Sequence, residues 1–497
     1  MDGMVLKIAH NGVRSDDNDV EVREPRRVSN RITKSDEEDD IMLGRSLLGI
    51  GMCALVLLLS SNAVFAQQAP AAAPTGTVQE RLTELEKKTD AVGLWKTLGF
   101  QLSGGVSVAY NHNFGNPGTN LSQLRTSDAN TNSFVPQLAQ VILQKPADEQ
   151  GTGAQRAGFR ARLNFGPDAR ISRARNNFLP GTDNTELDFQ ELYAEYIVPI
   201  GNGLKIQAGK INTALGYETF TSWENPNFSR TYGYNLSQAF TTTGIRLTYV
   251  VHPMLTVMAA VNNGWDNIED NNQGKMAEGA ITLTLHPRFI NYFYGSWAAE
   301  QSNNRGQAAA INPTVAAGSA PGCSTAPGTT GCDPTAHRTV LDYIGTLKPT
   351  DSDTVILEIY YVNEVNASTL SKGHNGRWNS AYLYLIHDFN DQMQPHAVSA
   401  RFRGGYFEDA GGIRACTGAI TINGGNNTCA GATATGTSVA TAQVVTEYTF
   451  TLQYAPFPNL ITRTEFRYDH SNKNVFLHRN EATNNQATMT YNLVYLF

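Results

Sequence analysis

The residues of this chain that could do chemistry are charges set singly between apolar side chains. Arg160 and Arg162 alternate with Phe159, Ala161 and Leu163, Arg401 and Arg403 with Ala400, Phe402 and Gly404, and Arg246 stands between Ile245 and Leu247. Arg463 and Arg467 keep the same rhythm around Glu465, and Glu191, Glu195, Glu278, Glu358 and Glu447 sit in further runs of this kind. In an extended strand a period of two puts such a set on one face and its apolar partners on the other. Charges of both signs on a wetted face attract, repel and brace; they do not by themselves break bonds. A second group is packed into one stretch after Leu215: Tyr217, Glu218, Trp223, Glu224 and Arg230, with Phe220, Phe228, Tyr232 and Tyr234 among them. Bond chemistry has little to work with. His252, His286, His387 and His396 stand beside tight turns and His112, His374, His470 and His478 near long loops. None has the serine and acid neighbours that an activated nucleophile requires, so no enzyme is expected.

These groups need strands to hold them, and the chain supplies strand after strand. In the stretch from Gly203 to Val251, Leu204, Ile206 and Ala208 point one way against Lys205, Gln207 and Gly209; further on, Ile245, Leu247, Tyr249 and Val251 oppose Gly244, Arg246 and Thr248. Between the two runs lies a loop of about 25 residues, far beyond the two to five of a hairpin, and too aromatic for disorder. The same alternation marks strands at 98–110, 134–144, 156–166, 187–199, 203–213, 238–251, 254–263, 276–286, 289–300, 338–348, 354–364, 378–389, 396–407, 443–455, 459–470 and 487–497. Short links such as PIGNG, HPM and APFPN alternate with long ones around Thr119, Gly181, Trp223, Asn271, Pro321, Gly373, Gly425 and Asn480. A soluble sandwich would alternate too, but at the end of the chain Met489, Tyr491, Leu493, Tyr495 and Phe497 share a face up to the carboxylate. That ending, with Tyr491, Tyr495 and Phe497, resembles the signal read by the outer-membrane assembly machinery. The expected fold is all-β: a transmembrane antiparallel β-barrel of about 16 strands, with counts from about 14 to 18 compatible with the pattern, and a short N-terminal periplasmic helix.

The first part of the chain reads as export. Residues 1–41 are polar and acidic, the wrong charge for a leader, and are expected to be an overlong or non-native extension. Residues 42–66 form a signal peptide, with Arg45 ahead of an apolar core from Leu47 to Leu59 and VFA ending at Ala66. The core is short of the roughly 20 residues of a membrane helix; a cleaved signal is the reading, a retained anchor its alternative. Residues 67–97 are a periplasmic linker and a short helix in which Val78, Leu82, Leu85, Thr89 and Val92 form a seam, fit for a coiled coil or for packing on the barrel rim. Residues 98–497 are the barrel domain. A net charge of −7 over 497 residues excludes a basic nucleic-acid binder, and a mean hydropathy of −0.32 is too polar for a helical membrane protein yet compatible with a barrel whose apolar face hides in alternation. Cys323 with Cys332 and Cys416 with Cys429 lie in Gly- and Ala-rich loops away from any histidine cluster. In an oxidising compartment two local disulfides are expected, with free loop thiols the other reading. No metal site and no cofactor are expected.

The phrases NFGPDA from Asn164, IGNGLKIQAGK from Ile200, LGYE from Leu215, NPNFSRTYGYN from Asn225, TTGIRLTY from Thr242 and NNGWDNIEDNNQGK from Asn262, in this order, make the chain from about Leu98 to Phe497 resemble the bacterial outer-membrane barrel porins called OmpL-like. The resemblance implies a channel and does not name its solute. The expected function is a water-filled channel for passive diffusion of small hydrophilic solutes and ions, with outer-membrane lipid and the assembly machinery as partners and a homotrimer as a possible assembly. In a barrel the charged faces must then line the lumen, since Arg or Lys facing lipid costs about 2–4 kcal/mol at midplane: Arg160, Arg162, Glu191, Glu195, Arg246, Arg401, Arg403, Arg463 and Arg467 are the expected pore-lining residues, as solute contacts or as braces. The loop near 214–237 is the third long loop, the one that folds inward in general porins, an analogy of fold alone. Folded inward, it constricts the channel, its aromatics packing on the wall while Glu218, Glu224 and Arg230 remain for the channel, the two acids facing Arg160 and Arg162; folded outward, it caps the mouth. The tyrosines also admit a sugar-selective porin, and a barrel adhesin or receptor or a barrel hydrolase are alternatives of another class.

Overall fold

A computed structural model of the chain describes residues 99–174, 186–270, 272, 274–300, 336–367, 374–416, 429 and 441–497. The expected extension, signal peptide, linker and N-terminal helix, and the pair Cys323 and Cys332, lie outside the described residues. Fifteen strands follow in chain order: β1 (Gln101–Asn113), β2 (Ser133–Lys145), β3 (Ala157–Phe165), β4 (Leu187–Val198), β5 (Leu204–Asn212), β6 (Thr241–His252), β7 (Leu255–Trp265), β8 (Met276–His286), β9 (Phe289–Ala299), β10 (His337–Leu347), β11 (Asp353–Glu364), β12 (Gly376–Asp388), β13 (Ala397–Asp409), β14 (Gln443–Phe457) and β15 (Leu460–Ser471). A small hairpin, β16 (Phe476–His478) and β17 (Glu481–Thr483), precedes the last long strand, β18 (Asn485–Leu496). The hairpin stands apart. The other sixteen strands close into one antiparallel barrel, each paired with its neighbour in sequence and β18 returning to β1. Closure leaves no free edge, which is how a sheet satisfies its backbone in lipid.

Alternation decides which side each residue faces, and the outside is apolar. Val106, Ile245, Val261, Ile281, Leu357, Ile359, Leu383, Leu385, Phe450, Leu452 and Leu493 are among its exposed members. The outward charges of these strands, Lys145, Asp353, Arg377 and Glu408, stand at or near strand ends, where a charge reaches the interface. One glycine breaks the rhythm. Gly209 has φ +139, and a Cβ there would stand 2.3 Å from the carbonyl oxygen of Leu192. The kink turns Lys210, which strict alternation would aim at lipid, inward onto Asp188, with Nζ 3.0 Å from Oδ2. Only glycine takes that backbone conformation without strain.

The seam between β1 and β18 is closed by the terminal residue. Gly104 donates to the carbonyl of Phe497 at 2.9 Å and Phe497 donates back at 3.0 Å. The Phe497 ring lies over Gly104, so close that a Cβ there would meet it at 2.6 Å. Deleting Phe497 removes both the last pair of hydrogen bonds and the ring. The expected result is export to the periplasm with reduced insertion into the outer membrane, read by fractionation and by the heat-dependent gel shift of folded barrels. Normal amounts of truncated barrel in the outer membrane would refute it.

Candidate functional site

The link between β5 and β6 does not stay at the mouth; it enters the lumen and is fastened there by strand side chains. It leaves β5 along the wall of β9 to β12. Tyr292 on β9 donates from its hydroxyl to Ala214 O at 2.5 Å, Gly216 N–H donates to Asp342 on β10 at 3.1 Å, and Tyr217 N–H donates to Glu358 on β11 at 2.8 Å. It then crosses the barrel. Gln140 on β2 and Arg162 on β3 reach Thr221 at 3.2 and 3.1 Å, and Trp223 comes within contact of Gly105 on β1. On the way back Arg463 on β15 donates to Ser222 O at 2.8 Å and Asn225 O at 3.1 Å, Arg401 donates to Pro226 O at 2.8 Å, and Glu465 accepts from Phe228 and Ser229 N–H at 2.7 and 3.0 Å. A short helix, α1 (Tyr232–Ser237), capped by the Thr231 side chain, finishes the crossing against β11 to β14.

The strongest fastening is a chain of seven buried charges of alternating sign. Glu218 of the loop meets Arg403 at 2.8 Å, Arg403 meets Glu447 at 2.7 Å, and Glu447 meets Arg467 at 2.7 Å. Arg467 meets Asp469 at 2.8 Å, Asp469 meets Arg125 at 2.5 Å, and Arg125 also pairs with Asp128. Arg125 and Asp128 belong to the link between β1 and β2, so that link is drawn inward too; no alternation marks it, and the sequence reading passed over it. The first part of the link between β3 and β4 follows: Asp168 stands 3.6 Å from Arg230, and burial holds its carboxyl up to about 7 although Arg230 pulls the other way. Tyr217, half-buried in the loop, is pushed up to about 12 by its desolvation.

The expected lumen residues therefore divide into two sets. Arg403, Arg463 and Arg467 point inward but lie under the loop, almost wholly buried, so they brace it and do not line water. Two loop residues expected to face the channel do not. Glu218 is buried on Arg403 rather than opposite Arg160 and Arg162, and Arg230 is buried on Asp168 and on the carbonyls of Phe228 and Phe220. The physical reason is the same for both: a charge leaving water needs a partner of opposite sign, which Arg403 of β13 supplies to Glu218 and Asp168 of the link between β3 and β4 supplies to Arg230. What remains towards solvent from Tyr217 to Ser237 is Glu224, exposed, with Tyr217, Thr219 and Trp223 half-buried. The half-buried inner side chains of β3 to β6 complete that side: Arg160, Glu195, Lys205, Gln207 and Arg246. Arg160 and Arg162 share Glu191 at 2.9 and 3.0 Å, Arg162 also reaches Glu224 at 3.4 Å, Glu195 pairs with Lys205 at 2.9 Å, and Arg246 donates to Asn212 O at 2.9 Å. The tyrosines of the opposite wall hold the loop: Tyr360 donates to Ser237 O at 2.6 Å, Tyr382 accepts from Gly233 N–H at 3.1 Å, and Tyr384 is buried against Tyr217. Cys416 and Cys429 are joined across the link between β13 and β14.

A sixteen-strand barrel with an apolar belt outside and a loop fastened across a charged lumen is the architecture of a channel, and comparison with known families agrees. The profile of the family described as "Putative beta-barrel porin-2, OmpL-like" matches residues 99–497. The chain belongs to this family. As a member it is an outer-membrane barrel of the porin class. No curated protein sequence matches the chain. Among solved structures it is similar to the outer membrane channel DcaP of Acinetobacter baumannii, at 10% identity over 80% of this chain and 97% of that one, with a TM-score of 0.47. It is similar also to Pseudomonas putida OprB at high pH (9%, 83% and 97%, TM-score 0.48) and to an anion-selective porin from Comamonas acidovorans (9%, 80% and 99%, TM-score 0.46).

Proposed function

We propose that this porin passes small hydrophilic solutes and ions by diffusion, through the water left between the loop after Leu215 and the inner wall of β3 to β6. The observation that carries the reading is the loop's attachment to strands on both sides of the barrel, from Glu358 on β11 to Arg162 on β3. A segment so held narrows the lumen. The charges beside the water are of both signs and mostly paired, which favours weak ion preference over a dedicated site. Burial of Tyr360, Tyr382 and Tyr384 under the loop leaves few rings for stacking on sugar faces, so the sugar-selective reading has less support. Within the same proposal, the signal peptide ends at Ala66, the long loops face the cell surface, the assembly machinery reads the terminal strand, and three copies assemble. A mature protein beginning elsewhere than Gln67, or a single-copy mass in mild detergent, would remove the first or last of these.

Conductance across a planar bilayer tests the central proposal. Purified protein should give open steps in salt that sugars at millimolar concentration leave unchanged. Block by such sugars would transfer the assignment to a sugar-selective channel, and absence of conductance in a folded preparation would reject both.

A further inference from the structure

Nearly every arginine of the barrel strands is engaged. Arg160, Arg162, Arg246, Arg338, Arg401, Arg403, Arg463 and Arg467 each hold a carboxylate or a carbonyl inside the barrel. Arg377 on β12 is the exception: it is exposed, faces outward, and makes no ion pair among the described residues. It lines a notch of about 530 Å³ at the long-loop rim, together with Tyr361, Asn363, His374, Asn375 and Gly411.

We infer that this notch docks the phosphorylated head group of an outer-leaflet glycolipid. Depth supports the assignment. Arg377 is opposite Asn363, and the row below it, Asn379 opposite Tyr361, borders the apolar belt of Ile359, Leu357, Leu383 and Leu385. Two residues along a strand are roughly 7 Å, so the guanidinium stands just beyond the acyl region, where head groups lie. Chemistry supports it as well. A guanidinium fork matches two phosphate oxygens, His374 brings ring nitrogens, and Asn375, held by Asn366 N–H and donating to Asn363 Oδ1 at 3.3 Å, brings an amide. The acid on the neighbouring strand of this face, Glu408, is bonded to Asn379 at 2.6 Å. Tyr361, more than a third exposed at the border of the belt, offers a ring to the sugar or to the first acyl carbons. The notch is continuous with the membrane-facing belt, so the ligand arrives through the leaflet.

The inference rests on the reading of the chain as an outer-membrane channel whose long loops face the cell surface, and the conductance arm keeps the channel apart from the notch. The full chain in detergent micelles is offered diphosphorylated lipid A, its dephosphorylated form, or inorganic phosphate, and bound adducts are counted by native mass spectrometry while bilayer conductance is recorded from the same preparation. Wild type should retain the diphosphorylated lipid. Arg377→Gln should retain it roughly tenfold less, the order of one charge-assisted hydrogen-bond pair, and Arg377→Lys should fall between, since it keeps charge and loses the fork. Conductance and heat-dependent gel shift should not change. Equal retention by Arg377→Gln, or equal retention of the dephosphorylated lipid by wild type, overturns the site. Full protection by inorganic phosphate alone would make it a free-anion site and overturn the glycolipid assignment. Loss of conductance in wild type itself would count against the channel, not against the notch.

Discussion

Replacing Arg403 with methionine is expected to free the middle of the loop while the barrel stays closed. All five N–H donors of this guanidinium are in use: Nε on Glu447, Nη1 on Glu218 and on Ser229 O, and Nη2 on the hydroxyls of Ser229 and Thr449. Methionine keeps the stem and removes every one of them. Glu447 would retain Arg467, but Glu218 would be left in a dry wall with Thr231 alone. Breaking a buried ion pair by removing one partner costs about 3–5 kcal/mol, and here one residue serves two carboxylates. The strand ladder of β13 to β12 and β14 involves backbone only and is unaffected. The loop still has its first anchors at Asp342 and Glu358 and its bonds to Arg162, Arg463 and Glu465, so the part around Glu218 and Ser229 loosens without the loop being lost. Unit conductance should rise and become noisy, with the heat-dependent gel shift unchanged. Arg403→Lys, which keeps the charge and drops the fork, should recover part of the quiet state. A methionine variant as quiet and as narrow as wild type would show that the other attachments suffice and that the charge chain is dispensable.

The second large effect is expected from Arg160→Gln with Arg162→Gln. These two arginines bracket Glu191, and Arg162 reaches Glu224, whose carboxylate is the loop's exposed charge. Neutralising both leaves Glu224, exposed to the water, and the buried Glu191 without their arginine partners. At about 8 Å in bulk-like water a unit charge shifts a passing ion by roughly 0.5 kcal/mol, so each is worth about a twofold change in relative permeability, more where the wall lowers the dielectric. The zero-current potential in a salt gradient should move toward cation preference, and the shift should shrink at molar salt as the screening length falls to about 3 Å. Glu224→Gln should move it the other way by the share of one charge. Glu218→Gln should leave selectivity alone and act, if at all, by loosening the loop, because its carboxylate is spanned by Arg403 and Thr231. Equal selectivity shifts from Glu218→Gln and Glu224→Gln would place both carboxylates in the channel and contradict the buried position of Glu218.

Most of the barrel is legible in the sequence alone. A strand half in lipid must alternate, so the period of two located all sixteen strands to within a few residues. The rhythm of short and long links ordered them, and the aromatic terminal strand separated a membrane barrel from a sandwich. The side on which Arg160, Arg162, Arg401, Arg403, Arg463 and Arg467 stand follows from the same rule, because lipid excludes their charge. Alternation failed at Gly209, where a positive φ turned Lys210 inward, and that depends on a backbone angle the residue type permits but does not announce.

The site itself was legible only as a list of candidates. Composition marked the stretch after Leu215 as a structured loop, and nothing local said whether it capped the mouth or crossed the lumen. That choice belongs to residues more than a hundred positions away: Asp342, Glu358, Arg403, Glu447, Arg463 and Glu465 present donors and acceptors to the loop from five strands. Closing the barrel brings them around it at once. Which loop charge meets water was decided in the same way. Glu218 and Glu224 are of one type and lie six residues apart, yet the first is buried on Arg403 of β13 while the second stays exposed beside Arg162 of β3.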